Sequence, residues 1–218
     1  MPGVVITVAR QLGSGGSHIA LQVSRRLGYA FVDRQILQEA AKELGVEESE
    51  IERREGRLQT FWEKLVSGFN MGTPYPNFVP RSNWITDERL AEVEHRLMAE
   101  LAMKGSCVML GRGAFYLLRG RAQLLSVMIH APLSFRVERL MRVYNAKRKE
   151  AVQMIEQSDR DRYRYIRSFT GRDWFDARNY DLAIDTSIID FASAEEMISS
   201  IALRLPEGEA WPWVNEPG

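Results

Sequence analysis

Short apolar runs alternate with longer stretches of helical spacing along the chain. Residues 4–9, Val-Val-Ile-Thr-Val-Ala, form a β-branched run closed by glycines, the pattern of a strand buried on both faces. Ile19, Val23 and Leu27 then recur at helical spacing, predicting a helix over residues 17–27 that Gly28 stops. A second short strand is predicted at 29–32, with Asp33 at its end. Helical spacing resumes with Ile36, Leu37, Ala40, Ala41 and Leu44 until Gly45. Residues 46–69 are charged and helical, whereas 70–84 hold Gly72, Pro74, Pro76 and Pro80 and read as a long mobile loop.

Leu90, Val93, Leu97 and Leu101 predict a helix over 86–104, followed by a third strand at 107–110 that runs into Gly111-Arg112-Gly113. A fourth strand is predicted at 124–130. Pro132 suits a first helical position and opens a helix to 145, and another spans 147–158 before an arginine-rich segment at 160–172. The fifth strand is predicted at 180–185, and Ser193-Ala194-Glu195-Glu196 reads as a capping box starting the last helix. Pro206, Pro212 and Pro217 mark an irregular tail whose Trp211 and Trp213 are expected to dock on the body. Strands alternating with helices predict an α/β domain, a parallel sheet with helices on both faces. Ligands of such sheets bind beyond the carboxyl ends of the strands. The segments leaving those ends are 10–16, Asp33-Arg34, 111–113, the residues after His130, and Asp185-Thr186.

The first of these segments carries the most chemistry. Gly13-Ser14-Gly15-Gly16 joins a strand to a helix, the arrangement that aims backbone N–H groups at phosphate oxygens. Glycine lets the chain bend through positive φ and approach a ligand without a Cβ. The bland alternative is a tight turn with no ligand. A strict phosphate loop has Gly, four residues, Gly, Lys and then Ser or Thr. Here Arg10 stands at the first glycine, Gly16 at the lysine and Ser17 at the hydroxyl. Ser17 is thus the candidate magnesium contact, or else an ordinary N-cap. With the lysine missing, positive charge must come from Arg10 or the late arginines. The dinucleotide fingerprint also nearly fits, but His18 stands where a third small residue belongs, with Asp33 placed to hold a ribose.

Composition narrows the setting. A chain of 218 residues, 45% apolar, suits one domain with an appended lid, with 46–84 as an insert and 158–175 as the lid. Acidic and basic residues balance at 29 each, which argues against bulk attraction to nucleic acid or membrane. Cys107 is the only cysteine and lies in an apolar run, so a buried structural thiol is expected. No apolar run approaches the roughly 18 residues needed to span a bilayer, and a cytoplasmic location is the expectation. The composition leaves the oligomeric state open.

Four segments together resemble the cytidylate kinase-like family: 6–16 (Ile-Thr-Val-Ala-Arg-Gln-Leu-Gly-Ser-Gly-Gly), 29–34 (Tyr-Ala-Phe-Val-Asp-Arg), 110–113 (Leu-Gly-Arg-Gly) and 180–187 (Tyr-Asp-Leu-Ala-Ile-Asp-Thr-Ser). The resemblance implies a three-layer P-loop kinase fold with a five-stranded parallel sheet, a helical acceptor-binding region and an arginine-rich lid. It implies ATP with Mg2+ as phosphoryl donor and says less of the acceptor; a nucleotide or other small molecule is expected, with CMP or dCMP as first candidates. Gly13, Ser14 and Gly15 match the phosphate loop. Arg112 matches the arginine of a Gly-Arg-Asp motif that helps hold a monophosphate acceptor, with Gly113 in place of the aspartate. Asp33 matches the aspartate closing the second strand, followed here by Arg34-Gln35. The lid pattern Arg-Asp-x-x-Asp-x-x-Arg is met only by residue type, in 158–164.

Phosphoryl transfer needs positioning and positive charge more than covalent chemistry. Arg160, Arg162, Arg164 and Arg167 supply that charge, unless they are a solvated helix face paired with Asp159 and Asp161. Asp33, Arg34 and Asp185 are candidates for the acceptor, with helix capping, a surface role and turn capping as their plainer alternatives. His18, His95 and His130 are too scattered for a metal site, and no Cys/His set has zinc spacing. Three functions stay open: a nucleoside monophosphate kinase-like transferase, a nucleotide-binding regulator with little catalysis, and a dinucleotide-dependent oxidoreductase.

Overall fold

A computed structural model describes residues 3–34, 36–37, 88–120 and 123–205. The expectations for the rest of the helix at 36–45, for 46–69 and 70–84, and for the tail with Trp211 and Trp213 lie outside the described residues. β1 (Val4–Arg10), β2 (Ala30–Val32), β3 (Cys107–Leu110), β4 (Gln123–His130) and β5 (Leu182–Asp185) form one parallel sheet in the order β2-β3-β1-β4-β5. Every residue of β1 is buried, which is why residues 4–9 read as a β-branched run with Thr7 as its one polar member. Its register places Val8 beside Leu110 and Arg10 beside Ile129, so the ends of three strands lie side by side. β3 separates β1 from β2. In the dinucleotide fold the first two strands are neighbours, so Asp33 does not stand where that fold holds a ribose.

Among the described residues the α-helices of defined extent are α1 (Gly16–Leu27), α2 (Glu88–Lys104), α3 (Ala114–Leu117), α4 (Leu133–Tyr144), α5 (Arg148–Thr170) and α6 (Phe191–Ala202). They cover both faces of the sheet. α1 packs on β1 and β3 and beside α6, with Ile19, Val23, Ala194 and Ile198 in the main core. Tyr165 and Ile166 of α5 close a second cluster over Ala9 and Met128, with Phe115 and Trp174. Cys107 is fully buried, and burial pushes its thiol up to about 12, as expected of a structural cysteine.

Several boundaries differ from the pattern. α5 is one helix of 23 residues that runs through most of the arginine-rich segment, where the helix is expected to end at 158. The last helix starts at Phe191 because Asp190 accepts from Ser193 N at 2.8 Å; Asp190, not Ser193, is the cap. Pro132 is the N-cap of α4 rather than its first helical residue. Gly15 is the N-cap of α1, so Ser17 lies inside the first turn. α3, a single turn entered through Gly113, has too few residues to show a periodicity.

Candidate functional site

The glycine turn is held from beneath. Ser14 is buried, and its hydroxyl donates to Gln11 O at 2.9 Å and Ile129 O at 3.2 Å. Thr186, just past β5, donates to Ser14 O at 2.7 Å. Gly13 and Gly15 take φ of 86° and 84°, values that L side chains rarely adopt. α1 then begins with no side-chain cap and no acidic residue in its first turn. The first amides of a helix have no intrahelical partners and sit at the positive end of its dipole. They are left to face the cleft above the turn.

That cleft has a volume of about 270 Å³ and is lined by Gly13, Gly15, Gly16, Ser17, Asp33 and Arg139, with the guanidinium-bearing Arg10 and Arg162 beside them. Burial, reinforced by Arg162, lowers Arg10 to about 9, while Asp33 opposes the shift. Burial likewise lowers Arg162 to about 10, with Asp159 opposing. Both remain cations at neutral pH in a confined space with few carboxylates, an environment that favours an anionic ligand. Arg162 Nη1 donates to Ser158 Oγ at 2.7 Å and lies 3.8 Å from Asp159. Asp159 in turn accepts from Arg136 at 2.7 Å and Gln11 at 3.4 Å. Arg136 also donates to Leu12 O at 3.3 Å, so one carboxylate ties α4, α5 and the glycine turn together.

A second polar group lies beside the cleft. Arg112 takes φ of 59°, and its guanidinium is ion-paired with the buried Glu94 and stands 4.3 Å above the Tyr165 ring. Arg34 Nε lies 3.9 Å from Glu94. Burial raises the Glu94 carboxyl against the pull of Arg112. Tyr165 OH is 2.8 Å from His95 Nε2, and His95 packs 3.9 Å from the Phe169 ring. Burial, then Arg112, pushes His95 down to about 4, so it is neutral at pH 7.

The structure brings Arg10, the glycine turn, Ser17, Asp33 and Arg162 into one cleft, with Arg112 lining a small adjoining pocket of about 20 Å³. Asp33 both lines the cleft and caps the next turn, accepting from Ile36 N at 3.0 Å. Arg34 is half-buried beside Glu94 rather than in the cleft lining. Asp185 spends a carboxylate oxygen on Ser187 N and Oγ at 2.9 and 2.7 Å, so it caps a turn. Arg160 is exposed and paired with Glu156 at 3.7 Å. Arg160 and Arg164 line a groove with Tyr163 and Phe175, apart from the glycine turn. Helical geometry explains the split: a spacing of two residues is about 200° around the axis, so Arg162 faces inward while its neighbours face out. Among the described residues no group of three His, Cys, Asp or Glu stands ready for a metal.

Glu94 escapes a reading by residue chemistry, although the signal is there: a carboxylate among Val93, Leu97 and Leu101 sits on an apolar helix face. Asp159 reads only as a surface partner for arginines, because its hub role depends on contacts across 148 and 23 residues of chain.

A model of the cytidylate kinase-like family matches residues 5–188. The chain belongs to the cytidylate kinase-like family. A search of curated proteins gives no match. An uncharacterized protein from Eubacterium ventriosum superposes with a TM-score of 0.69 at 20% identity, covering 93% of this chain and 99% of that one. A shikimate kinase from Bacteroides thetaiotaomicron superposes at 0.48 with 14% identity, over 91% and 97% of the two chains. A gluconokinase from Sinorhizobium meliloti does so at 0.45 with 15% identity, over 93% and 96%. The chain has an α/β fold with a five-stranded parallel sheet, and a nucleotide-dependent, kinase-like function follows from its family. The oxidoreductase alternative falls with the family and the strand order. No described helix is long and apolar enough to cross a membrane.

Proposed function

We propose that this chain transfers the γ-phosphoryl group of ATP to a small acceptor, with CMP or dCMP the first candidates. The observation that carries this reading is the uncapped start of α1 facing a cleft that also holds the buried Arg10 and Arg162. Backbone amides of Gly13, Gly15 and Gly16 would hold the donor phosphates, while Ser14, whose amide donates to Gln11 O at 3.3 Å and whose hydroxyl is turned inward, braces the turn from beneath. Ser17 and Asp33 supply the hard oxygen ligands that suit Mg2+, directly or through water. When bound, the nucleotide and its metal supply an activated phosphoryl group and neutralise part of its charge. Arg162 neutralises more of it from the side of α5, held in place by Ser158 and Asp159.

The acceptor would enter beside Arg112, Gly113 and Tyr165, which line the adjoining pocket with Arg10 and Arg162. An acceptor phosphate there would share Arg112 with Glu94. We assign 158–175, the end of α5 and the loop after it, to the lid, and 46–84 to the acceptor region. A location in the cytoplasm, with no nucleic-acid partner, completes the proposal. ADP release coupled to NADH oxidation across a panel of nucleoside monophosphates and small hydroxy acids tests it: turnover is expected with one acceptor class. ATP binding with no acceptor-dependent turnover would contradict the transferase and favour a nucleotide-binding regulator.

A further inference from the structure

We infer that Arg10 replaces the ammonium group that phosphate loops carry at the position of Gly16, and that these two residues form a matched pair. The inference rests on the nucleotide-binding reading of the cleft. A Cβ built on Gly16 would lie 2.5 Å from Arg10 Cβ and 3.2 Å from Arg10 Cγ, with Ile129 Cβ at 3.0 Å. The stem of Arg10 therefore fills the space in which a side chain at position 16 would begin. Two departures from the Gly-x4-Gly-Lys-Ser pattern, at 10 and at 16, are then a single exchange. The side chain that β1 gains at its end takes the room that α1 gives up at its start.

The guanidinium continues toward β3, where a Cβ on Gly111 would collide with Arg10 Nη1. Arg10 is 9% exposed, and its Nε has no hydrogen-bond partner among the described residues. A buried N–H without an acceptor is costly, and an anionic oxygen removes that cost. Arg10 lines both the cleft above the glycine turn and the adjoining pocket of Arg112. It thus stands at the junction of donor and acceptor, where the planar guanidinium would meet the transferring phosphoryl group.

The test is titration calorimetry with Mg2+ and ATP on the wild type, Arg10→Met and the exchanged pair Arg10→Gly with Gly16→Lys. Arg10→Met keeps most of the stem and removes the charge; ATP binding is expected to weaken roughly ten- to a hundredfold with the melting temperature held. The exchanged pair, which moves the cation to its ordinary place, is expected to regain roughly tenfold or more of that loss. Gly16→Lys alone is expected to lose both stability and binding, because Arg10 still occupies the space. Arg10→Met binding ATP like the wild type overturns the inference, as does a folded exchanged pair that binds no better than Arg10→Met. Should the exchanged pair not fold, Arg10→Met decides. Absence of ATP binding by the wild type would instead overturn the nucleotide reading, and this inference with it.

Discussion

Replacing Gly15 by valine is expected to remove measurable ATP binding while leaving a cooperatively folded protein. Gly15 is the N-cap of α1 at φ 84°, a conformation in which a β-branched residue is an outlier. The left-handed region costs an L residue about 1–2 kcal/mol. A Cβ there would also lie 2.7 Å from Phe191 Cε1 and 2.9 Å from Cε2. The ring must swing away, disturbing its packing with Arg139, 4.7 Å from the ring, and with His18 at 5.9 Å. These costs fall at the surface of the cleft, so the core should survive with a melting temperature lowered by roughly 2–4 °C for each kcal/mol. The amides of the turn, however, lose their common direction. ATP affinity unchanged from the wild type would rule out the glycine turn as the phosphate site.

Arg112→Ala is expected to be the most destabilising single change near the site. Glu94 has no exposed side-chain surface, and removing its buried partner leaves a carboxylate without its main counter-charge. Breaking a buried ion pair from one side costs about 3–5 kcal/mol. Arg34, 3.9 Å from Glu94, keeps the loss toward the lower end of that range. Glu94→Gln in the same chain should recover more than about 1 kcal/mol, the coupling typical of residues in contact. Urea unfolding of the two single variants and the double variant measures this. A loss below about 1 kcal/mol for Arg112→Ala, or no recovery in the double variant, would mean the pair is not what holds this region. Arg112→Ala should also weaken the acceptor more than ATP.

Much of the fold is legible because the sheet is buried on both faces. Val4 to Val8, Cys107 to Leu110 and the central part of β4 are apolar there but for Thr7 and Ser126, whose hydroxyls hydrogen-bond each other at 3.3 Å. The glycine turn is legible for a similar reason: only glycine tolerates the backbone at positions 13 and 15. Helix starts are less visible, because caps depend on which oxygen reaches an amide. Asp190 and Ser193 are equally good caps by type, and only the geometry selects Asp190. The arginine segment divides for a reason no composition shows. Its helical phase relative to the sheet sends Arg162 inward and leaves Arg160 and Arg164 in solvent. The partner of Arg112 comes from another element, Glu94 of α2, and Asp159, the helical neighbour that pairs with Arg162, is itself met by Gln11 from the turn after β1. Spacing along the chain says nothing about such meetings.

The central claim is that backbone amides at the end of β1 grip a polyphosphate although the usual lysine is absent. Amide chemical-shift mapping of the full chain, titrated with ATP and Mg2+, tests it most directly. The largest shifts are expected at Gly13, Ser14, Gly15, Gly16 and Ser17, with smaller ones at Asp33 and the Arg162 turn of α5. Saturable shifts confined to the groove of Arg160, Tyr163 and Phe175, with the glycine-turn amides unmoved, would contradict it.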